Sequence, residues 1–256
     1  MLKKRQKEII TKLNQEKEIT VSELSELYKV SLVTIRRDLE ILEEQGYLLR
    51  THGGAILLDE KRFGYEFSYS SRRTQNLKEK ELIAKEAVKL IDDNEVILID
   101  AGTTTSQISK FIQEKENLVL ITNSLYAAIE IGNKKGIGVF LLGGSLNYNT
   151  LSTVGNLAIE SLKKFHSKKL FLGAGGISID YGITYFDMME NDLRKIMIEQ
   201  SDIKIVLADH TKFERVATAS VCPIKDIDYL ITDNKAPKDM LDKIVELGVK
   251  LIIAED

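Results

Sequence analysis

Seven short, almost purely apolar runs recur through the later two thirds of the chain. They are VILID at 96–100, LVLI at 118–121, GVFLL at 138–142, KLFL at 169–172, IKIVLA at 203–208, YLI at 229–231 and VKLII at 249–253. A strand exposed on one face alternates apolar with polar residues, so a run without alternation belongs to a strand covered on both faces. Most of the segments between the runs have helical periodicity. KELIAKEAVKLI, for example, puts Leu82, Ile83, Ala87, Leu90 and Ile91 on one side of a helix that begins near Glu79. Strands alternating with helices predict an α/β domain built on a parallel sheet.

In such a sheet, ligands bind beyond the carboxyl ends of the strands. The first four runs end in small, polar or glycine-rich loops: Asp100-Ala101-Gly102-Thr103-Thr104-Thr105, Thr122-Asn123-Ser124, Gly143-Gly144-Ser145 and Gly173-Ala174-Gly175-Gly176. Amides and hydroxyls of the first loop, at the start of the helical SQISKFIQ, suit an anion such as phosphate. One such loop would be an ordinary turn; four at one edge make a small-molecule pocket. Asp209 and Lys212 follow a later strand and bring a cation to the same edge, although Lys212 also reads as half of a surface ion pair. No nucleophile elbow, zinc-binding His-Glu-x-x-His, Walker loop or dinucleotide Gly-x-Gly-x-x-Gly is present, so no catalytic residue, metal or cofactor is assigned. His166 reads as a surface residue on a helix.

The N-terminal part has a different grammar. Residues 2–15 carry Ile9, Ile10 and Leu13 on one helical face, with a polar turn expected over Asn14 to Glu18. Thr20 then caps a short helix with Val21, Leu24, Leu27 and Tyr28 as its apolar stripe and Glu23 in reach of the cap. Ser31 caps the next helix, which runs from about Leu32 to Gln45 and is ended by Gly46 in a left-handed turn. On it Ile35, Leu39 and Leu42 form the core stripe, while Val33, Thr34 and Arg37 face away with Arg36 on the flank. The β-prone runs from Tyr47 to Leu58 bracket Gly53-Gly54, a pair that permits positive φ, and form a hairpin. A tight helix pair followed by a hairpin predicts a winged helix-turn-helix, with the second helix of the pair entering the major groove. The alternative, a plain three-helix bundle with Arg36 and Arg37 merely solvated, leaves the hairpin unexplained.

The expected organisation is therefore residues 1–58 as a DNA-binding domain, 59–78 as a linker and 79–256 as an effector-binding domain. The linker's alternating Phe63, Tyr65, Phe67 and Tyr69 are expected to pack on the second domain as an edge strand. The net charge of −3 excludes a general nucleic-acid coat protein. Lys3, Lys4, Arg5 and Lys7 cluster where a first helix would lie along phosphates. The single cysteine, Cys222, fits a reducing compartment and reads as a small buried residue. No apolar run approaches the length that spans a bilayer, so a cytoplasmic protein with no membrane partner is expected. Double-stranded operator DNA read by paired half-sites calls for a homo-oligomer, a dimer or tetramer.

At this level a family is recognisable. Ser31, Thr34-Ile35-Arg36-Arg37-Asp38-Leu39, Gly46, Arg50 and His52-Gly53-Gly54-Ala55 resemble the N-terminal signature of the DeoR family of bacterial transcription regulators. The resemblance implies DNA binding through Ser31, Val33, Thr34, Arg36, Arg37, Arg50, His52 and Gly53. Asp100 with Gly102-Thr103-Thr104, Asn123-Ser124, Gly143-Gly144, Gly182-Ile183-Thr184 and Asp209 with Lys212-Phe213 resemble that family's effector domain, whose fold is similar to ribose-5-phosphate isomerase. It implies a phosphorylated sugar held by Asp100, Gly102, Thr103, Thr104, Thr105, Asn123, Ser124, Gly143, Gly144, Gly173, Gly175, Asp209 and Lys212. Arg194 stands where the family's lysine is expected, with Lys195 beside it, and both join that set. The loop Gly173 to Gly176 lacks the acid that the isomerases use. These residues imply a sugar-phosphate-responsive repressor of sugar-metabolism genes; the alternative is an isomerase-like enzyme with an accessory DNA-binding domain.

Overall fold

The computed structural model of the chain describes residues 3–44, 47–51, 53–56 and 69–255, which fall into two compact units, Met1–Thr74 and Gln75–Asp256. The first unit contains α1 (Lys4–Glu16), β1 (Glu18–Thr20), α2 (Val21–Tyr28), α3 (Leu32–Glu44), β2 (Leu49–Arg50) and β3 (Gly54–Ile56). Thr20 and Glu23 form the expected reciprocal cap: the Glu23 amide donates to Thr20 Oγ1 at 3.2 Å and the Thr20 amide to Glu23 at 2.8 Å. Ile9 and Leu13 of α1, Leu24 of α2 and Ile35, Leu39 and Leu42 of α3 are all fully buried in one core. Leu27 is not part of it and is 56 % exposed. The stretch expected as a polar turn is instead the last turn of α1, with Lys17 left-handed at φ 67°, followed at once by β1.

The hairpin forms, and β1 completes it as a three-stranded antiparallel sheet in the order β1-β3-β2. Its glycines serve a purpose other than the expected one. Neither Gly53 nor Gly54 has a positive φ. Thr20 lies opposite Gly54, and a Cβ on Gly54 would collide with the carbonyl oxygen of Ile19, so this glycine lets two backbones approach. Gly46 and His52 lie outside the described residues, as do the linker residues Phe63, Tyr65 and Phe67. Tyr69, expected in an edge strand, opens a short helix α4 (Tyr69–Thr74) instead.

The second unit begins with α5 (Leu77–Val88), two residues before the expected start. Its sheet has seven strands: β4 (Val96–Ile99), β5 (Leu118–Thr122), β6 (Ile137–Leu141), β9 (Ser167–Leu172), β12 (Ser201–Leu207), β14 (Tyr229–Asp233) and β15 (Lys250–Ala254). They are the seven apolar runs, all parallel, in the order β15-β14-β12-β9-β4-β5-β6. From β4 the chain steps outward one way to β5 and β6, then returns to β9 and steps the other way. The junction of β4 and β9 is thus the switch point, where Ile99 pairs with Phe171 and the two following loops lie side by side.

Apolar packing covers both faces of this sheet, one around Leu98, Leu170 and Val206 and the other around Ile97, Phe171 and Ile205. The remaining strands are short additions that periodicity does not reveal. A hairpin of β7 (Ser145–Asn147) and β8 (Ser152–Val154) follows β6, and β10 (Gly176–Ser178), β11 (Gly182–Tyr185) and β13 (Ala219–Cys222) form a small antiparallel sheet. Helices α6 (Ile108–Phe111), α7 (Leu125–Ile131), α8 (Asn156–Leu162), α9 (Met188–Glu199) and α10 (Lys238–Glu246) complete the unit. His166 sits in the loop after α8, exposed and 2.8 Å from Asp202, and not on a helix. Cys222 is buried, and burial pushes its thiol up to about 12, so it stays protonated and inert.

The β1–β3 contact can be tested by side-chain addition. Gly54→Ala should cost roughly 1–3 kcal/mol through overpacking, whereas Gly53→Ala, with nothing within 4 Å of the added carbon, should be near neutral. Urea unfolding of the two variants in the intact chain checks the contrast.

Candidate functional site

The first surface is the outward side of α3. Ser31 Oγ accepts from the Thr34 amide at 3.2 Å and lies 2.9 Å from Thr34 Oγ1, so the expected N-cap is formed and ties both hydroxyls together. Val33 is 71 % exposed, and Arg36 and Arg37 are exposed without an acidic partner among the described residues. These two guanidiniums, Arg37 on the outward face and Arg36 on its flank, create a local positive field that the overall charge hides. Arg50 and Gly53 of the hairpin are exposed as well. Arg50 is held back towards α3: its amide donates to Glu43 at 2.8 Å and its guanidinium lies 3.7 Å from Glu40 and 3.9 Å from Glu43. His52 is outside the described residues.

One residue of the basic N-terminal cluster is withdrawn from that surface. Arg5 reaches Asp38 on the inner side of α3 through both Nε and a terminal nitrogen, each at 2.6 Å, and Gln6 Nε2 donates to the same carboxylate at 2.9 Å. The Lys3 amide in turn holds Gln6 at 2.9 Å. Asp38 is buried, so Arg5 neutralises a charge that water cannot reach, and α1 and α3 are fixed at one crossing. Lys3, Lys4 and Lys7 remain exposed.

The second surface lies at the switch point of the parallel sheet. Thr105 Oγ1 donates to the carbonyls of Asp100 at 2.7 Å and Gly102 at 3.1 Å, which folds the Asp100–Thr105 loop into a tight turn. The amides and hydroxyls of Thr103 and Thr104 have no acceptor among the described residues. Asn123 Oδ1 accepts from the Ala101 amide at 3.0 Å, pinning the neighbouring loop to this turn, and Ser124 caps α7 by accepting from the Ala127 amide at 3.2 Å. Gly173 faces Asp100 across the strand junction: a Cβ there would come within 3.8 Å of Asp100 Oδ2. A side chain at Gly175 would meet Thr184 O at 2.9 Å and Tyr185 Cα at 3.0 Å. Gly143 and Gly144 are exposed, and Gly144, at φ 141°, allows the close approach of Val154 in the β7–β8 hairpin.

Helix α9 closes over these loops. Arg194 Nε lies 3.2 and 3.3 Å from the two carboxylate oxygens of Asp100, a terminal nitrogen donates to Glu190, and its guanidinium carbon sits 3.8 Å above the Tyr185 ring. Tyr185 donates to Gly173 O at 2.5 Å, and Glu190 accepts from Thr150 and Ser152 of the hairpin region. Every charged group of this network is buried. Burial raises the Asp100 pKa to about 6; Arg194 pulls it back and Glu190 pushes it further up. Arg194 is therefore a buried clamp on two carboxylates and is not poised for an incoming anion. Lys195 points to solvent 3.9 Å from Asp192, so the two adjacent cations do not share a site.

Beyond β12, Asp209 caps a short turn by accepting from Thr211 and from Asn76 Nδ2 at 3.3 Å. Burial alone would raise its pKa, but Lys212, Lys80 and the Thr211 bonds outweigh that and hold the carboxyl below its ordinary range. Lys80 of α5, buried with its ammonium 2.8 Å from Gln75 O, was not foreseen, and neither were Glu190, Tyr185, Thr150 and Ser152. Only the Glu190/Arg194 spacing of four on a helix carried a signal in the sequence.

Residues 5–61 match the DeoR-like helix-turn-helix domain and residues 75–234 the DeoR C terminal sensor domain. The chain belongs to the DeoR family. It is 38 % identical over 252 residues to the HTH-type transcriptional regulator GolR of Listeria innocua serovar 6a, covering 98 % of each chain. It is 36 % identical to the HTH-type transcriptional repressor GlcR of Bacillus subtilis (strain 168), covering 96 % of this chain and 94 % of that protein. A solved D-ribose-5-phosphate isomerase in complex with phospho-erythronic acid aligns over 52 % of each chain with 21 % identity and a TM-score of 0.39. As a member of the DeoR family, the chain is a DNA-binding transcriptional regulator, and no described helix is long and apolar enough to cross a membrane.

Three measurements probe these sites. Arg5→Ala should destabilise the N-terminal unit by roughly 3 kcal/mol, because it strands a buried carboxylate. Lys4→Ala should leave stability within about 0.5 kcal/mol but, if Lys4 lies on a phosphate, lower the salt slope of DNA binding by about one. Asp100 binds its proton more tightly folded than unfolded, so it stabilises the fold below about pH 4 and that contribution is lost as pH rises towards about 6. Between those limits wild type should lose roughly 2–3 kcal/mol relative to Asp100→Asn, read from unfolding free energies of both proteins across the range.

Proposed function

We propose that this regulator is a repressor of sugar-metabolism genes, controlled by a phosphorylated sugar that binds at the switch point of the C-terminal sheet. The observation that carries the reading is the Thr103–Thr104 turn: two amides and two hydroxyls, without intramolecular acceptors among the described residues, lie where two strands diverge. Such a turn takes a phosphate. Two buried polar atoms in the neighbouring loops, Asn123 Nδ2 and Asp209 Oδ2, also have no hydrogen-bond partner among the described residues. A leftover donor and a leftover acceptor suit sugar hydroxyls, because a buried polar group without a partner costs about 1–3 kcal/mol. Lys212, half-buried beside Asp209, supplies the cation, a role that Arg194 cannot take while it clamps two carboxylates.

Binding without turnover is supported by the glycine loop. The loop Gly173 to Gly176 carries no acid, a side chain at Gly175 would collide with Thr184 O and Tyr185 Cα, and the neighbouring Asp100 is engaged by Arg194. The protein acts in the cytoplasm as a homo-oligomer on two-fold operator DNA; the exposed Phe140 and Leu141 of edge strand β6 are apolar surface of the kind a second copy covers.

A thermal-shift panel of pentose and hexose phosphates against the parent sugars tests the ligand class. The phosphorylated effector at 100 times its Kd should stabilise by about 2.7 kcal/mol, and the parent sugar should not. Thr104→Glu sets a carboxylate where the phosphate belongs, so it should abolish the shift and leave operator affinity intact, giving a repressor locked in its ligand-free behaviour. A variant that responds at wild-type ligand concentration would move the phosphate to the Asp209–Lys212 loop.

A further inference from the structure

The outward face of α3 carries an apolar residue that the fold does not use. Val33 lies in the first turn, 71 % exposed, two residues after the cap Ser31. A β-branched residue is a mediocre helix former, usually retained for the packing it provides, and here it packs on little. A single exposed valine means nothing by itself. Its neighbours give it meaning: Val33 lines a cleft with Lys3, Arg5, Thr34, Arg37, Asp38 and Ile41, in which Arg5 answers the acid, Asp38, and leaves Lys3 and Arg37 as surplus cations. Two phosphate-compatible cations thus flank an aliphatic group that the fold leaves mostly uncovered.

Resting on the DNA-binding activity of this family member, we infer that Val33 is a specificity residue that reads the 5-methyl group of a thymine. The major groove presents one apolar feature, the thymine methyl, and an isopropyl side chain can recognise nothing else there. The neighbouring Thr34 is half-buried, with its hydroxyl held by Ser31 at 2.9 Å, so Val33 is the more exposed apolar group of the two. Arg37 stands one turn further on the same face, exposed and without an acidic partner among the described residues, and its planar fork suits guanine O6 and N7. Four residues of helix advance about 6 Å, and base pairs are stacked about 3.4 Å apart. Each half-site therefore carries a thymine and a guanine about two base steps apart.

The test uses the full-length protein and an operator selected with it from a random duplex pool. Each thymine of the selected site is replaced singly by uracil, which removes the methyl and nothing else, and the affinities of wild type and Val33→Ala are measured on every duplex. At one thymine per half-site, wild type should lose about fourfold, the worth of one buried methyl group, and Val33→Ala should lose nothing more. At all other thymines the two proteins should respond alike. Arg37→Ala should lose discrimination against 7-deazaguanine about two steps away, which places the helix in register. Val33→Ala improves helix propensity at an exposed position, so its thermal midpoint should match wild type. A site at which no thymine distinguishes the two proteins overturns the inference while leaving selective binding intact. A protein that selects no sequence overturns selective binding and the inference with it.

Discussion

One guanidinium holds the sensor unit's strand ends together. Arg194 comes from α9, whereas Asp100 closes β4, and their contact spans 94 residues of sequence. Two carboxylates buried within reach of one another repel and desolvate at considerable cost unless a cation lies between them. Arg194 supplies that cation, Tyr185 stacks beneath it, and Glu190 extends the network to Thr150 and Ser152 in the hairpin region. Removing the arginine would leave two buried acids facing one another, so helix, hairpin and strand-end loops are bound into one arrangement.

The N-terminal unit repeats the logic on a smaller scale. Asp38 turns inward from a helix whose other face is basic, and Arg5 and Gln6 meet it from α1. A charge in the core is a poor source of net stability and a good source of uniqueness, because few helix crossings satisfy it. The alignment of α3, and with it the direction in which Val33 and Arg37 point, therefore depends on a residue that looks from the sequence like one more surface cation.

That contrast marks where the sequence was legible. The seven parallel strands were readable within two residues because strands buried on both faces need continuous apolar runs. The caps at Thr20 and Ser31 were readable because a hydroxyl bonding to the amide three residues on has a local cause. The three- and four-residue strands β7, β8, β10, β11 and β13 were not, since they are too short for periodicity, and β13 pairs with a strand far back along the chain. The same holds within the site. The Gly102–Thr105 turn announces itself at the end of an apolar run, but nothing near Tyr185 or Glu190 says that they will stand beside Asp100. Gly53-Gly54 was recognised as special for an incorrect reason, because a glycine that makes room for another backbone looks in sequence like one that adopts positive φ.

The separation of 94 residues between Asp100 and Arg194 also has a meaning in time. Chains are synthesised from the N-terminus at about 5–20 residues per second, and non-local parallel pairings are the slow part of folding. The Arg5–Asp38 pair spans 33 residues, so the DNA-reading unit has all its partners while most of the sheet is still unmade. The central strand β4 must wait for β9 to pair on its other side, and Asp100 must wait longer still for its counter-charge. Each newborn molecule thus passes through an interval in which its DNA-reading half is complete and its sensing half does not yet exist.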